Sequence, residues 1–253
     1  MLVDSHCHID FPVLFDRLPQ SLELMQAHGV STAVCVGVEL EKFPGIVSLT
    51  ESCPNILATV GVHPSKTGVR EPTVKELVTL AQHPRVIAIG ETGLDYYWHK
   101  DMPKWQRRRF RAHIHAARDC GKRLIIHSRE AIHDVLRIMK EERAEQVGGI
   151  MHCFSENWEV AKEVLDMGFY ISISGIVTFK NAKTIREVAR LTPLNKLLIE
   201  TDAPYLAPDP YRGRINQPGY VKYVAEEIAH LREISFDEVA KATTENFFHL
   251  ISD

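Results

Sequence analysis

The stretch VIAIGE, residues 86–91, is an apolar run of strand-forming residues that ends on a carboxylate. A charge directly after a buried strand is costly unless it is paired or binds a metal. The pattern recurs, because RLIIH at 123–127 and GGIMH at 148–152 also close apolar runs on a potential ligand. This repetition indicates several strands that carry polar side chains to the same edge of a sheet.

Short β-branched or aliphatic runs of this kind occur along the whole chain, at 2–3, 32–38, 56–62, 86–89, 124–126, 149–151, 169–173 and 196–199. Segments of helical spacing separate them, and two of these segments end at Gly29 and Gly121, where glycine suits a left-handed helix cap. Eight strands alternating with helices in 253 residues match the usual size of a TIM barrel. We therefore predict an α/β protein whose residues 1–253 form a single (β/α)₈ TIM-barrel domain.

Composition agrees with this fold and narrows the classes of function. The chain is 45% hydrophobic, which is enough for one large core, and it has a net charge of −3. That charge gives no reason to expect strong non-specific binding to nucleic acid, although a metal centre supplies positive charge locally. No secretory signal or membrane-spanning run is recognisable, and the five cysteines include no C-x-x-C pair. We expect a reduced cytoplasmic protein without membrane contact or an obligate protein partner.

Six potential metal ligands lie where a TIM barrel places its functional residues, at the C-terminal ends of the predicted strands: His6, His8, Glu91, His127, His152 and Asp202. In VDSHCHID the two histidines are two residues apart, so on a strand both face the same side. His113 and His115 have the same spacing on a predicted helix, where residues two apart do not face each other. We therefore interpret this second pair as structural or solvated.

Each ligand candidate has a plainer explanation when it is taken alone. Glu91 is explained equally by an ion pair, and Asp202 by a cap on the following turn. His127 and His152 are each explained by a hydrogen bond. If no metal is bound, a separate explanation of this kind is required at each of the equivalent strand ends. The coincidence of six such residues therefore favours a metal centre.

Longer signatures carry a resemblance to a known family. The ordered motifs VDSHCHID, GVHP, IGETGLDYYW, IIHSREA, MHCFS, GFYISISGIVTFKNA and IETDAPYLAPDPYRGRINQP resemble those of the TatD family of metal-dependent hydrolases, a branch of the amidohydrolase superfamily. The resemblance implies a binuclear divalent-metal centre and a deoxyribonuclease activity, often 3′ to 5′ exonuclease. It also implies that His6 and His8 bind the first metal, Glu91 bridges both, His127 and His152 bind the second, and Asp202 completes the first and contacts the nucleophilic water. Two departures, Ser65 after GVHP and FSEN after His152, remove no ligand.

These residue types suit phosphodiester hydrolysis, which needs an activated water and a counter-charge for the transition state. Two cations roughly 3.5 to 4 Å apart provide both. A bridging carboxylate suits Glu91, and a general-base role suits Asp202, so we predict these two as catalytic. Mixed imidazole and carboxylate ligands fit Zn²⁺ or Mn²⁺, while Mg²⁺ prefers oxygen, and the identity of the metal stays open.

Substrate contacts are predicted on the same rim. His63 ends the third strand and is expected to bind a phosphate oxygen, the alternative being a hydrogen-bonded loop histidine. The aromatic residues Tyr96, Tyr97 and Trp98 are expected to stack on an unpaired base, or alternatively to cap the core. Further candidates in the stiff loop after Asp202 are Tyr205, Arg212 and Arg214. The cluster Arg107, Arg108, Arg109 and Arg111 is interpreted as a solvated helix face.

The sequence thus predicts a metal-dependent hydrolase, most consistent with a deoxyribonuclease whose substrate is single-stranded DNA or DNA ends. A second interpretation keeps the barrel and the metals but changes the substrate to a small ester, lactone, amide or phosphotriester. A third, from another class, is a non-catalytic metal or nucleic-acid binding module. A ligand set that includes Asp202 argues against the third, because structural zinc sites are usually closed by four protein ligands.

Overall fold

The computed structural model describes residues 1–252, and its eight strands occur where the apolar runs predict them. They are β1 Leu2–Cys7, β2 Val30–Cys35, β3 Ile56–Val60, β4 Val86–Asp95, β5 Arg123–Arg129, β6 Gly149–Met151, β7 Tyr170–Ile173 and β8 Leu197–Ile199. They belong to one sheet in the order β1 to β8. The pairs β1–β2, β3–β4, β4–β5, β5–β6 and β7–β8 are parallel.

Helices follow the strands in the alternation expected of a (β/α)₈ barrel. They are α1 Pro12–Phe15, α2 Leu18–Ala27, α3 Phe43–Ser52, α4 Val74–Ala81, α5 Lys104–Cys120, α6 Ile132–Glu141, α7 Trp158–Asp166, α8 Lys183–Leu191, α9 Val221–Arg232 and α10 Phe236–Ser252. The chain turns through the left-handed region at Gly29 (φ +71°) after α2 and at Gly121 (φ +68°) after α5, as predicted. The parallel order and the alternation confirm the TIM-barrel fold class.

By residue contacts the chain divides into two units. The first comprises residues 1–35, 152–165 and 170–252, and it holds β1, β2, β7 and β8. The second comprises residues 36–151 and 166–169, and it holds β3 to β6. The prediction of a single domain is untested by this division and stays a prediction.

The strands supply the apolar core of each unit. All six residues of β1 are buried, and β4 is buried at every position except Ile87. Two glycines allow close backbone approach between β3 and β4: a Cβ on Gly61 would lie 2.5 Å from the carbonyl carbon of Gly90. Bulkier residues at that position would push the strands apart.

Within residues 1–252, every helix is too short or too polar to traverse a lipid bilayer.

Two strands depart from regular pairing where they carry candidate ligands. Between Asp4 and Cys7, β1 contains one more residue than the paired segment of β2, which is a β-bulge. The same occurs between Ile89 and Thr92 of β4, where β4 has one residue more than β5. Such bulges re-aim side chains and are common next to active sites. His6 and Glu91 lie within these two irregular segments, so both residues lie inside their strands and do not simply close them.

Candidate metal centre

The first unit brings four of the six predicted ligands together, at the ends of β1, β6 and β8. Nitrogen and oxygen atoms of His6, His152 and Asp202 lie within 4.8 Å of one another. The Nε2 atoms of His6 and His8 lie 3.7 and 3.5 Å from Oδ1 of Asp202. The rings of His6 and His152 stack with centroids 3.9 Å apart. We call His6, His8, His152 and Asp202 the first cluster.

The backbone explains why these residues meet. The Asp202 amide donates to the His6 carbonyl at 2.9 Å, and the His8 amide donates to the Ala203 carbonyl at 2.7 Å. Asp202 has φ +57°, a left-handed conformation that costs free energy for a residue with a Cβ and is concentrated at functional sites. The segment after β8 is therefore clamped to the end of β1.

A buried network beneath the first cluster holds this segment. Asp4 is fully buried, and its carboxylate accepts hydrogen bonds from the Thr201 amide at 2.8 Å and the Thr201 hydroxyl at 2.5 Å. Burial raises the pKa of Asp4 well above its ordinary value, although these hydrogen bonds lower it. Asn216 adds a hydrogen bond from its side-chain amide to the Thr201 carbonyl at 2.8 Å. These three hydrogen bonds hold Thr201, the residue directly before Asp202, in place.

The charge on Asp202 follows from its neighbours. Burial raises its pKa, but the hydrogen bond with His8 and the charges of His6 and His152 lower it more, so the pKa lies below its ordinary value. The carboxylate is therefore available as an anionic ligand or proton acceptor at neutral pH.

Glu200, which the sequence analysis did not identify, orients His152. It is fully buried, and its Oε1 lies 3.1 Å from His152 Nδ1 and accepts the Cys153 amide at 2.9 Å. A carboxylate behind an imidazole typically fixes the tautomer of a metal-binding histidine. The available signal was a second acidic residue two positions before Asp202, directly after the apolar strand β8.

The second unit brings the other two predicted ligands together with His63. Oε1 of Glu91 lies 3.2 Å from His63 Nε2 and 3.1 Å from His127 Nδ1. Ligand atoms of His63, Glu91 and His127 lie within 4.8 Å of one another. Glu91 is only 2% exposed. We call His63, Glu91 and His127 the second cluster. Within it, His63 directly contacts Glu91, one of the predicted metal ligands.

His63 is held by its own loop and by helix α5. Its Nδ1 lies 2.7 Å from the Ser65 hydroxyl and accepts the Ser65 amide at 3.1 Å. Arg109 of α5 donates to the His63 carbonyl at 2.8 Å, and it is only 3% exposed. The interpretation of Arg109 as part of a solvated face is therefore wrong. Its buried guanidinium donates to the carbonyls of His63 and Lys66 and to the carboxylate of Glu71.

The helical pair behaves as its spacing predicts. His113 is fully buried, and its Nε2 accepts the Val62 amide at 3.0 Å. His115 lies on the exposed side and its Nε2 is 2.6 Å from Glu142 Oε2. Neither histidine reaches a cluster, so the interpretation of this pair as structural or solvated is confirmed.

The aromatic residues after Glu91 separate into two roles. Tyr96 is 6% exposed and its hydroxyl donates to Asp134 at 2.6 Å, which favours the alternative role of capping the core, and its predicted stacking on a base stays a prediction. Tyr97 and Trp98 are 38% and 66% exposed and meet edge to face. The Arg129 guanidinium lies 3.8 Å from the centre of the Tyr97 ring. We call Tyr97, Trp98 and Arg129 the aromatic rim.

The remaining substrate candidates are exposed and belong to the first unit. Tyr205 is 54% exposed, and its ring centroid lies 6.3 Å from that of His8. The Arg212 guanidinium lies 4.2 Å from the centre of the Phe179 ring and lines a cavity of about 290 Å³. Arg214 lies 5.9 Å from the centre of the Tyr211 ring. Their predicted contacts with substrate stay predictions.

Both clusters fit a divalent cation by the chemistry of their donors. Each combines imidazole nitrogens with a carboxylate, the set used by Zn²⁺ and related metals in hydrolases. In each cluster a histidine also faces a further buried carboxylate, Glu200 behind His152 and Asp95 behind His127. His152 lies in the first cluster, together with His6 and Asp202. The prediction that His152 binds the second cation stays a prediction.

Comparison with known proteins identifies the family. A family model described as TatD related DNase matches residues 3–252. The chain belongs to the TatD family. It is 44% identical to the metal-dependent hydrolase YabD of Bacillus subtilis over 97% of both chains. It is 42% identical to the metal-dependent hydrolase YcfH of Escherichia coli K12, over 98% of this chain and 95% of the relative.

Solved structures agree with the TatD assignment. The crystal structure of YjjV, a TatD homologue from Escherichia coli K12, has a TM-score of 0.93 at 27% identity and covers 100% of this chain and 98% of its own. A TatD family hydrolase from Entamoeba histolytica has a TM-score of 0.85 at 20% identity, covers 99% of this chain and 97% of its own, and shares the fold. The chain is thus a metal-dependent hydrolase of the TatD family, and its predicted family and fold class are both confirmed.

Proposed function

We propose that this TatD family member is a deoxyribonuclease that removes nucleotides in the 3′ to 5′ direction from single-stranded DNA or DNA ends. The observation that carries the proposal is the aromatic rim beside the second cluster. Arg129 follows His127 by two residues on β5, and Tyr97 and Trp98 come two and three residues after Asp95, the last residue of β4 and the one behind His127. Exposed aromatic rings with a guanidinium suit unpaired bases and their phosphates.

Divalent cations would complete the proposed centre, and Glu91 would be among their ligands. When bound, such cations make water more acidic and stabilise negative charge on phosphate oxygens. His6, His8 and Asp202 would hold one cation, and Glu91 and His127 would hold the other. Activity measured with Mg²⁺, Mn²⁺ and Zn²⁺ separately would identify which metal the centre uses.

Asp202 is the proposed general base. Its pKa lies below its ordinary value despite burial, so the carboxylate is ionised at neutral pH and takes a proton from the attacking water. Because Nδ1 of His63 accepts the Ser65 amide, its Nε2 carries the proton and faces Glu91, and His63 is proposed to donate from Nε2 to a phosphate oxygen of the substrate. The aromatic rim then positions the terminal bases.

A small ester, lactone, amide or phosphotriester is the alternative substrate class. An engineered enzyme with organophosphate hydrolysis activity from a lactonase template has a TM-score of 0.68 at 13% identity, which is a likeness of fold alone. Many relatives of that kind use a carboxylated lysine at the bridging position, whereas this chain has Glu91. The exposed aromatic pair also favours an extended, base-bearing substrate.

The test uses metal-stripped protein with 5′-labelled single-stranded DNA, the matching RNA, a nitrophenyl ester and a phosphotriester, each with Mg²⁺, Mn²⁺ or Zn²⁺. We expect a metal-dependent ladder of DNA shortened from the 3′ end. His127→Gln should abolish it, and His115→Gln, which removes an exposed imidazole of α5, should not. Turnover of the ester or phosphotriester alone would favour the alternative class, and metal binding without any turnover would favour the non-catalytic module.

A further inference from the structure

Asp95 ends β4 four residues after Glu91, and its two carboxylate oxygens have separate partners. Oδ2 lies 3.2 Å from His127 Nε2. Oδ1 accepts the amides of Tyr97 at 3.1 Å and Trp98 at 3.4 Å. The side chain is 3% exposed, so water does not compete for either oxygen.

The backbone of Asp95 is fixed by a matched pair of hydrogen bonds. Its amide donates to Gln106 Oε1 at 3.0 Å, and its carbonyl accepts from Gln106 Nε2 at 3.0 Å. Gln106 lies in α5 and is fully buried. The carboxylate is therefore held in one place before any ligand arrives.

This arrangement decides which nitrogen of His127 faces the second cluster. A neutral imidazole carries one N–H and one lone pair, and a carboxylate at Nε2 holds the proton there. Glu91 Oε1 lies 3.1 Å from Nδ1, but the same oxygen faces His63 Nε2, which carries a proton because His63 Nδ1 accepts the Ser65 amide. Glu91 therefore accepts its proton from His63, and Nδ1 of His127 keeps its lone pair. His63 is held in the opposite sense, because its Nδ1 accepts the Ser65 amide and its Nε2 faces Glu91.

We propose that Asp95 is a positioning residue that fixes His127 as the Nε2–H tautomer and so makes Nδ1 the metal-binding atom. The proposal rests on the proposed role of His127 as a metal ligand. Asp95 itself does not touch the metal or the substrate. Carboxylates in this position typically change metal affinity by about 10- to 100-fold when they are removed.

Asp95→Asn is a sharp test because an amide has only one acceptor oxygen. The Tyr97 and Trp98 amides together require an acceptor at Oδ1, so the new NH₂ group faces His127. An NH₂ group donates to Nε2, which moves the imidazole proton to Nδ1 and blocks that nitrogen as a ligand. Asp134→Asn is the matched control, because Asp134 is also a hydrogen-bonded aspartate of the second unit, but its partners are Tyr96, Arg107 and Arg137.

Metal binding to the stripped proteins is measured by calorimetry with Zn²⁺ and with Mn²⁺. We expect Asp95→Asn to weaken one site about 10- to 100-fold and Asp134→Asn to leave both affinities unchanged. Equal affinities for Asp95→Asn and the wild type would overturn the proposal. Failure of the wild-type protein to bind metal would instead overturn the metal centre of the proposed function.

Nitrogen NMR of histidine-labelled wild-type protein tests the same point without relying on a variant that folds. We expect His127 to carry its proton on Nε2 in the stripped protein and to show a metal-induced shift at Nδ1 after Zn²⁺ is added. In folded Asp95→Asn, the proton should appear on Nδ1. A Zn²⁺-induced shift at Nε2 in the wild-type protein would overturn the proposal.

Discussion

His113→Gln tests how the fold supports the site, because His113 links α5 to the loop that carries His63. Its Nδ1 donates to the Arg109 carbonyl at 2.8 Å, and its Nε2 accepts the Val62 amide at 3.0 Å. Both nitrogens are thus used, and only the neutral imidazole satisfies them. Protonation would direct an N–H of Nε2 at the N–H of Val62.

The pKa of His113 is lowered from 6.5 to about 4, mainly because the residue is buried. The charge of Arg109 also lowers the pKa, while the hydrogen bond to the Arg109 carbonyl and the charge of Glu71 partly offset this effect. The unfolded chain therefore binds more protons than the folded chain between these pH values. The stability that His113 contributes is fully present above pH 6.5 and is lost as the pH falls toward 4, by roughly 3 kcal/mol in total.

The assay is urea unfolding of the wild type, His113→Gln and His115→Gln at pH 7 and pH 5. Glutamine does not titrate, so lowering the pH from 7 to 5 should destabilise the wild type relative to His113→Gln by about 2 kcal/mol. At pH 7 His113→Gln should be less stable than the wild type by about 1 to 3 kcal/mol, because the hydrogen bond from the buried Val62 amide to Nε2 is lost. His115→Gln should change stability by less than about 1 kcal/mol, since its ion pair is exposed. A difference for His113→Gln that does not change with pH would refute the reasoning.

Three further predictions concern the chemistry. Asp202→Asn should fold and retain at least one metal, yet cleave DNA about 10² to 10⁴ times more slowly, because the proton acceptor is lost; near-normal turnover by the metal-loaded variant would exclude the general-base role. Single-stranded DNA should be cleaved faster than a blunt duplex, since taking a base out of its stack costs a few kcal/mol; equal initial rates on both substrates would contradict this. Trp98→Ala should leave thermal unfolding unchanged, since the side chain is 66% exposed, and should raise the KM for single-stranded DNA by an amount equivalent to about 1 to 3 kcal/mol; an unchanged KM would remove Trp98 from the substrate path.

The strands and the fold class were predictable because they depend on local patterns. Runs such as Val86 to Ile89 and Gly149 to Met151 are short and apolar, and all eight runs form strands. The left-handed turns at Gly29 and Gly121 were also predictable, because glycine adopts positive φ without a steric penalty.

The candidate ligands were recognisable for a related reason, since a charge or imidazole at the end of an apolar run needs a partner. The sequence did not reveal the extent of β4 and β5, which continue past Glu91 and His127 to Asp95 and Arg129. It also did not reveal the bulges at His6 and Glu91, because a bulge depends on how two strands pair. The burial of Tyr96 and Arg109 was likewise decided by distant residues, Asp134 in one case and Glu71 in the other.

By itself, the sequence determined the order of strands and helices, the family and the six candidate ligands, because each is written in local composition or in motifs. Only the tertiary structure decided which residues meet: His63 with Glu91, Asp95 with His127, and Glu200 with His152. The physical reason is that a hydrogen bond acts over about 3 Å, whereas the partners are separated by tens of residues along the chain. The nitrogen that each histidine presents to its cluster is therefore a property of the folded chain.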